Sequence, residues 1–253
     1  MLLPTPDTVV SVENVDGCRP FVMVCEHASN EFPAPWGDLG LSAEQRQAHI
    51  AWDPGALSVA RGLAWRLDGP LIAAKVSRLI YDLNRPPHAP SAMAARSERH
   101  DIPGNAALSP TDRLARSNAI YLPFHARVRA ELVRRLAQGQ SPILVTVHSF
   151  TPVYDGQPRS VELGVIHDAA PDLAQAVLAE AKAQTIMTSR LNEPYSAADG
   201  VTHTLALHAT PLGLLNVMLE IRNDLIATPE SQNEMAAELA PVLMRALNRL
   251  EGA

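Results

Sequence analysis

Cysteine is scarce in this chain of 253 residues: Cys18 and Cys25 are the two present, and their spacing is not that of a zinc ribbon. Two nearby cysteines offer no disulfide framework, so they are expected as reduced thiols in a cytoplasmic protein. Aromatic residues make up 4% of the chain, which gives no sign of a stacking platform for bases or sugars. Lysine and arginine never form a run, and the net charge is −6. That balance argues against a groove for nucleic acid or a patch for anionic membranes. Nowhere do eighteen uncharged apolar residues follow one another, and "MLLPTPDTVVSVEN" lacks a basic segment followed by an apolar one. Neither a membrane span nor a secretory signal is therefore expected. Internal repeats are missing too, and the 21 prolines are scattered as connectors.

What the chain does have is apolar material for a core, at 47% of residues, and a length suited to one large domain spanning 1–253. Short runs rich in Val, Ile and Leu alternate with helical patterns. "FVMVC" (21–25), "PLIAAKVS" (70–77), "ILVTVH" (143–148), "VELGVIHD" (161–168) and "LLNVMLEI" (214–221) read as strands. Helix starts are marked by Ser42 with Gln45, by Asp53 before Pro54, and by Ser109-Pro110 with Asp112. Further helices are predicted over 171–183 and 231–250, the last with Met235, Leu239, Val242, Leu243, Ala246 and Leu250 on one face. This order predicts an α/β protein, a three-layer αβα sandwich with its sheet between helices.

In open α/β sheets, ligands gather beyond the carboxyl ends of the strands. Three predicted strands end there in reactive side chains: Glu26-His27, His148-Ser149, and Glu220 with Arg222 and Asp224 close behind. Singly, each can be a hydrogen-bonded structural residue or an ion pair. Together, two imidazoles and a carboxylate match what a hydrolytic Zn²⁺ requires, with another carboxylate to take a proton from water. In "SRLIYDLNRPPHAPSA" (77–92), Asn84 and Arg85 precede two prolines, so a stiff turn holds them. An arginine fixed in this way suits a bidentate grip on a carboxylate, though an Asp82–Arg85 pair would equally hold the turn.

The stretches "CEHASN", "HIAWDPGA", "SRLIYDLNRP", "IPGN", "YLPFH", "HSFTP", "NEPYS" and "EIRNDL" occur in this order from residue 25 to 225. As a set they resemble the N-formylglutamate amidohydrolase family, whose wider fold is similar to that of zinc carboxypeptidases and aspartoacylases, which implies a mixed central sheet in the αβα sandwich. The resemblance implies His27 and His148 as metal ligands, Glu220 as general base, and Asn84 with Arg85 on a substrate carboxylate. Carboxypeptidases carry a ligating Glu three residues after the first His, where this chain has Asn30. Asp53 in "AWDPGA" is the expected replacement, with Glu31 or Glu26 as alternatives, and an Asp before Pro is also a common helix cap.

The implied reaction is zinc-assisted hydrolysis of a small acidic N-acyl amino acid, with N-formyl-L-glutamate foremost. Arg85 and Arg222 are expected to meet its two carboxylates, with Arg78 near the oxyanion, Arg159 in reserve and His203 toward the substrate. Tyr195 lies in a loop expected to cover the site. A serine hydrolase built on Ser149 lacks the G-x-S-x-G elbow. A metal-free protein that binds an acidic metabolite is the alternative from another class. The sequence sets neither the oligomeric state nor the particular metal.

Overall fold

The computed structural model describes residues 5–252, so the first four residues of the segment searched for a targeting signal lie outside it. Seven strands form the central sheet: β1 (Val10–Glu13), β2 (Phe21–Cys25), β3 (Leu71–Ala74), β4 (Ile143–Phe150), β5 (Leu163–Ile166), β6 (Ser189–Leu191) and β7 (Asn216–Arg222). Their spatial order is β1-β3-β2-β4-β7-β5-β6. β2 runs parallel to β3 and β4, β4 is parallel to β7, and β5 is parallel to β6. Two antiparallel pairings, β1 with β3 and β7 with β5, make the sheet mixed.

Helices cover both faces. α1 (Ala56–Arg66), α3 (Asp172–Gln184) and α4 (Pro229–Glu251) share a core with Phe21, Met23, Val145, Val147, Val217 and Leu219. On the other face α2 (Leu122–Ala137) packs Phe124, Val128 and Leu132 against Val22, Val24, Leu144 and Met218. The strand residues divide by parity because successive side chains point to opposite faces. With both faces covered, the central strands read as continuous apolar runs. The expected αβα architecture is therefore the observed one.

Local chemistry explains the helix ends. Ser42 and Ser109 close capping boxes with Gln45 and Asp112, while Thr228 does so with Ser231 ahead of Pro229. The apolar stripe of α4 is buried from Met235 to Leu247. Asp53 behaves differently from a helix cap: α1 starts three residues later behind Gly55. At Gly55 φ is +82°, and a Cβ would sit 2.5 Å from the Ile226 carbonyl oxygen, so this turn demands glycine. Both cysteines are free thiols. Among the described residues, no helix is long and apolar enough to cross a membrane.

Candidate active site

The carboxyl ends of β2, β4 and β7 meet in one cleft. His27 follows β2, while His148 and Glu220 face each other across the parallel β4–β7 register. Asp53 arrives on the loop before α1, where its N–H donates to the His27 carbonyl (2.9 Å) and its Oδ2 accepts from the Ser149 N–H (3.3 Å). The cavity in front of these residues encloses about 480 Å³, and its lining includes Arg78, Asn84, Arg85, Tyr154, Tyr195 and Glu220.

Three donor atoms converge at its floor. Asp53 Oδ2 lies 3.2 Å from His27 Nδ1 and 2.9 Å from His148 Nδ1, and the two Nδ1 atoms are 3.2 Å apart. All three side chains are buried. Behind the rings stand two more carboxylates: Asp82 Oδ1 is 2.8 Å from His27 Nε2, and Glu26 Oε2 is 3.1 Å from His148 Nε2. The second contact has ion-pair distance but poor hydrogen-bond alignment, because both Glu26 oxygens and His148 Nε2 lack an aligned partner. Carboxylates behind the rings assign the protons to Nε2 and turn the Nδ1 lone pairs toward Asp53. Two imidazole lone pairs and a carboxylate oxygen this close repel one another unless a cation lies among them. This donor set fits a divalent ion held by His27, Asp53 and His148.

In the protein alone, a proton meets part of that demand. Burial works against a charged His148, yet Glu26 and Asp53 hold its pKa well above the ordinary imidazole range. Burial likewise opposes ionised Asp53 and Asp82. For Asp53 the His27 and His148 contacts prevail, and for Asp82 the Arg78 charge does, so both carboxyls stay below the usual range. Arg78 joins the two, donating from Nη1 to Asp53 Oδ1 (3.2 Å) and from Nη2 to Asp82 Oδ2 (2.8 Å). Glu220 is the exception. Burial, reinforced by the Asp53 charge, pushes it up to about 7 against the pull of His148.

The residues expected to meet substrate divide into two groups. Arg78, Asn84 and Arg85 line the cleft. Arg85 Nη1 is anchored on the carbonyls of Asn84 and Gly200, both at 2.8 Å. The Asn84 amide is occupied at both ends, donating to the Val201 carbonyl and accepting from the Thr204 N–H, so it fastens the 201–204 segment and leaves Arg85 as the grip. Arg222 and His203 are not among the cleft-lining residues. Arg222 donates to Asp224 (2.8 Å), just after β7, and to Glu162 (3.3 Å), just before β5. His203 Nε2 bonds the Tyr121 hydroxyl at 2.9 Å.

Beside His203, His208 Nε2 meets His125 Nδ1 at 2.9 Å, and His125 Nε2 donates to the Leu83 carbonyl at 3.0 Å. Burial drops His125 to about 3 and His208 to about 4, so both are neutral props under the Asn84-Arg85 turn. Asn30 points away, donating to Arg46 O and Gln47 Oε1. The Ser149 hydroxyl is committed to the Pro54 carbonyl at 2.8 Å, which counts against its use as a nucleophile.

Asp82 is a residue of the site that the sequence offers only as an alternative partner for Arg85; in the structure it backs His27 and Arg78. Its position four residues after Arg78, in the same turn as Asn84, was the available signal. Tyr195 reaches the cleft because β5 carries Gly164, where a Cβ would lie 2.2 Å from the Glu193 carbonyl oxygen.

An αβα protein with a mixed sheet and a buried centre of imidazoles, carboxylates and arginine at its carboxyl edge belongs, by fold and site, with the hydrolases. The chain is a member of the N-formylglutamate amidohydrolase family, whose model matches residues 19–227. It is therefore a hydrolase acting on an amide. A solved gene product of Agrobacterium tumefaciens is 50% identical, with a TM-score of 0.95 over 97% of each chain. The structure of an N-formylglutamate amidohydrolase from Ralstonia eutropha shares the fold, with a TM-score of 0.70 at 16% identity, covering 97% of this chain and 100% of the other. No curated protein matches the chain.

Proposed function

We propose that this protein is a metal-dependent amidohydrolase of small N-acyl acidic amino acids, with N-formyl-L-glutamate, yielding L-glutamate and formate, as the substrate its family indicates. The observation that carries this reading is the meeting of two Nδ1 atoms and Asp53 Oδ2 beside Glu220 at the floor of one cleft. His27, Asp53 and His148 would hold the ion, and zinc suits two imidazoles and one carboxylate. A bound divalent ion would supply Lewis acidity to the carbonyl and to the attacking water.

The chain's own residues account for the rest. Arg85, anchored on two backbone carbonyls, receives the substrate carboxylate and sets the amide over the floor. Glu220, held near neutrality, accepts a proton from the attacking water and returns it to the leaving nitrogen. Arg78 keeps Asp82 ionised and adds to the pull of the two histidines on Asp53, and its 28% exposed side chain faces the cleft beside the developing oxyanion. Asn84 is a fastening residue in this scheme, and Arg222 has no part in it.

The test combines metal analysis with hydrolysis of N-formyl-L-glutamate. Wild-type protein should lose activity on chelation and regain it with zinc, and His148→Ala should retain neither metal nor activity. Activity that persists in protein verified free of metal would refute the metal-dependent reading. A second reading, a non-catalytic binder of acidic metabolites, has less support because Glu220 is buried and free of hydrogen-bonded partners among the described residues.

A further inference from the structure

The cleft opens into two side chambers that share no lining residue with each other. The smaller, about 140 Å³, is bounded by Arg78, Asp82, Arg85, Ser91 and Ser97. Its arginines match a carboxylate, so it suits the amino-acid half of an N-acyl amino acid. The larger, about 590 Å³, lies between two hairpins, 96–101 and 153–158, and is lined by Arg96, Glu98, Arg99, Val153, Tyr154 and Asp155. It joins the cleft through His49, Arg96, Glu98 and Tyr154.

Both walls of the larger chamber are fastened. Glu98 meets His49 Nε2 at 2.8 Å, Arg96 donates to Asp101 at 3.0 Å, and His100 Nδ1 lies 3.2 Å from the Gln45 amide. Opposite, the Arg159 guanidinium sits 4.5 Å from the Tyr154 ring centroid and 5.0 Å from that of Tyr195, whose hydroxyl it bonds at 3.0 Å. Cation–π contacts of this kind hold the hairpin as a formed wall. Val153 and Tyr154 remain 51% and 46% exposed, an apolar surface available to a ligand.

A substrate whose carboxylate occupies the arginine chamber and whose amide lies over the floor must direct its acyl group the other way. A formyl group, with a single carbon, would leave the exposed Val153 and Tyr154 side chains between the hairpins uncontacted. We infer that the preferred substrate carries an acyl arm of several carbons, lying between the two hairpins against Val153 and Tyr154. This rests on the amidohydrolase reading and refines its substrate class.

The experiment measures L-glutamate released by the zinc-loaded enzyme from its N-formyl, N-acetyl, N-butyryl and N-phenylacetyl derivatives, so a single assay serves all four. The expected result is a kcat/KM that rises from formyl to the longer arms by on the order of tenfold, equivalent to about 1.4 kcal/mol. Val153→Asp, which touches only the outer chamber, should erase that gain and leave the formyl rate unchanged, with melting curves confirming an intact fold. Preference for formyl over every longer arm would overturn the inference and leave the amidohydrolase reading standing. If no derivative is cleaved, both fall.

Discussion

His27 and His148 turn the same ring atom, Nδ1, toward Asp53 because a carboxylate stands behind each Nε2. The two supports are unequal. Asp82 meets His27 at 2.8 Å and also receives Arg78, whereas Glu26 approaches His148 off line. Asp82→Asn, which keeps an acceptor but loses the charge, is therefore expected to weaken zinc binding by about 10–100-fold, with Glu26→Gln having the smaller effect. Competition against a fluorescent chelator measures both, and equal losses would contradict the asymmetry. Glu220 contacts neither imidazole by hydrogen bond. Glu220→Gln should keep the metal while kcat falls by roughly 10²–10⁴-fold with little change in KM. Metal analysis and kinetics on the same preparation distinguish this from loss of the site. The histidines were legible in sequence because each ends an apolar run, whereas Asp53 was reached through family resemblance. Which ring nitrogen faces inward could not be read, since it depends on Glu26 and Asp82, brought there by the turn after β2 and the loop after β3. Arg222 shows the converse: it has the right residue type at the right strand end, but Asp224 and the distant Glu162 capture it.

At the scale of elements, the long apolar strands and capped helices were readable because burial on two faces and helix chemistry leave periodic marks. β6, at three residues, and the two-residue arms of both hairpins are too short to carry any period, while β1, an edge strand reading VSVE, lacks the continuous apolar run that marks β3 and β5. Those unread hairpins form the outer walls of the cleft, so its shape was hidden even though its floor was not. The sheet also governs the loop above it. Gly164 lies opposite Glu220 in the antiparallel β5–β7 register, and a Cβ there would come within 2.2 Å of Glu193 O and 3.1 Å of Glu220 Cβ. Gly164→Ala must push the 192–195 segment outward or shift Glu220. The expected cost is about 1–3 kcal/mol from overpacking, together with a raised KM as Tyr195 leaves the cleft. Thermal melts and steady-state kinetics test the two parts separately, and unchanged values for both would show that the loop yields without consequence.

For the whole molecule, the buried charges couple stability, pH and metal. Asp53 and Asp82 have folded pKa values below the ordinary 3.8, so their stabilising contribution is present above that pH and disappears as acid is added. His148 is raised above its ordinary 6.5, and Glu220 from 4.5 to about 7. Their contributions are complete below the ordinary values and vanish as pH rises through the folded ones. Metal-free protein should thus be most stable just above pH 4 and lose melting temperature as pH rises, first through Glu220 above 4.5 and then also through His148 above 6.5, so that the loss continues across pH 6 to 8. A divalent ion needs the His27 and His148 lone pairs free of protons, so its binding strengthens over that same interval. Ligation to the folded state alone adds about 2.7 kcal/mol at a hundredfold excess over Kd. The gap in melting temperature between zinc-loaded and chelator-treated protein should therefore widen from pH 6 to pH 8. A gap that stays constant or narrows would mean that the three donors do not exchange a proton for the metal. In His148→Ala the gap itself should be absent at every pH, because the imidazole that would hold both the metal and the competing proton is gone.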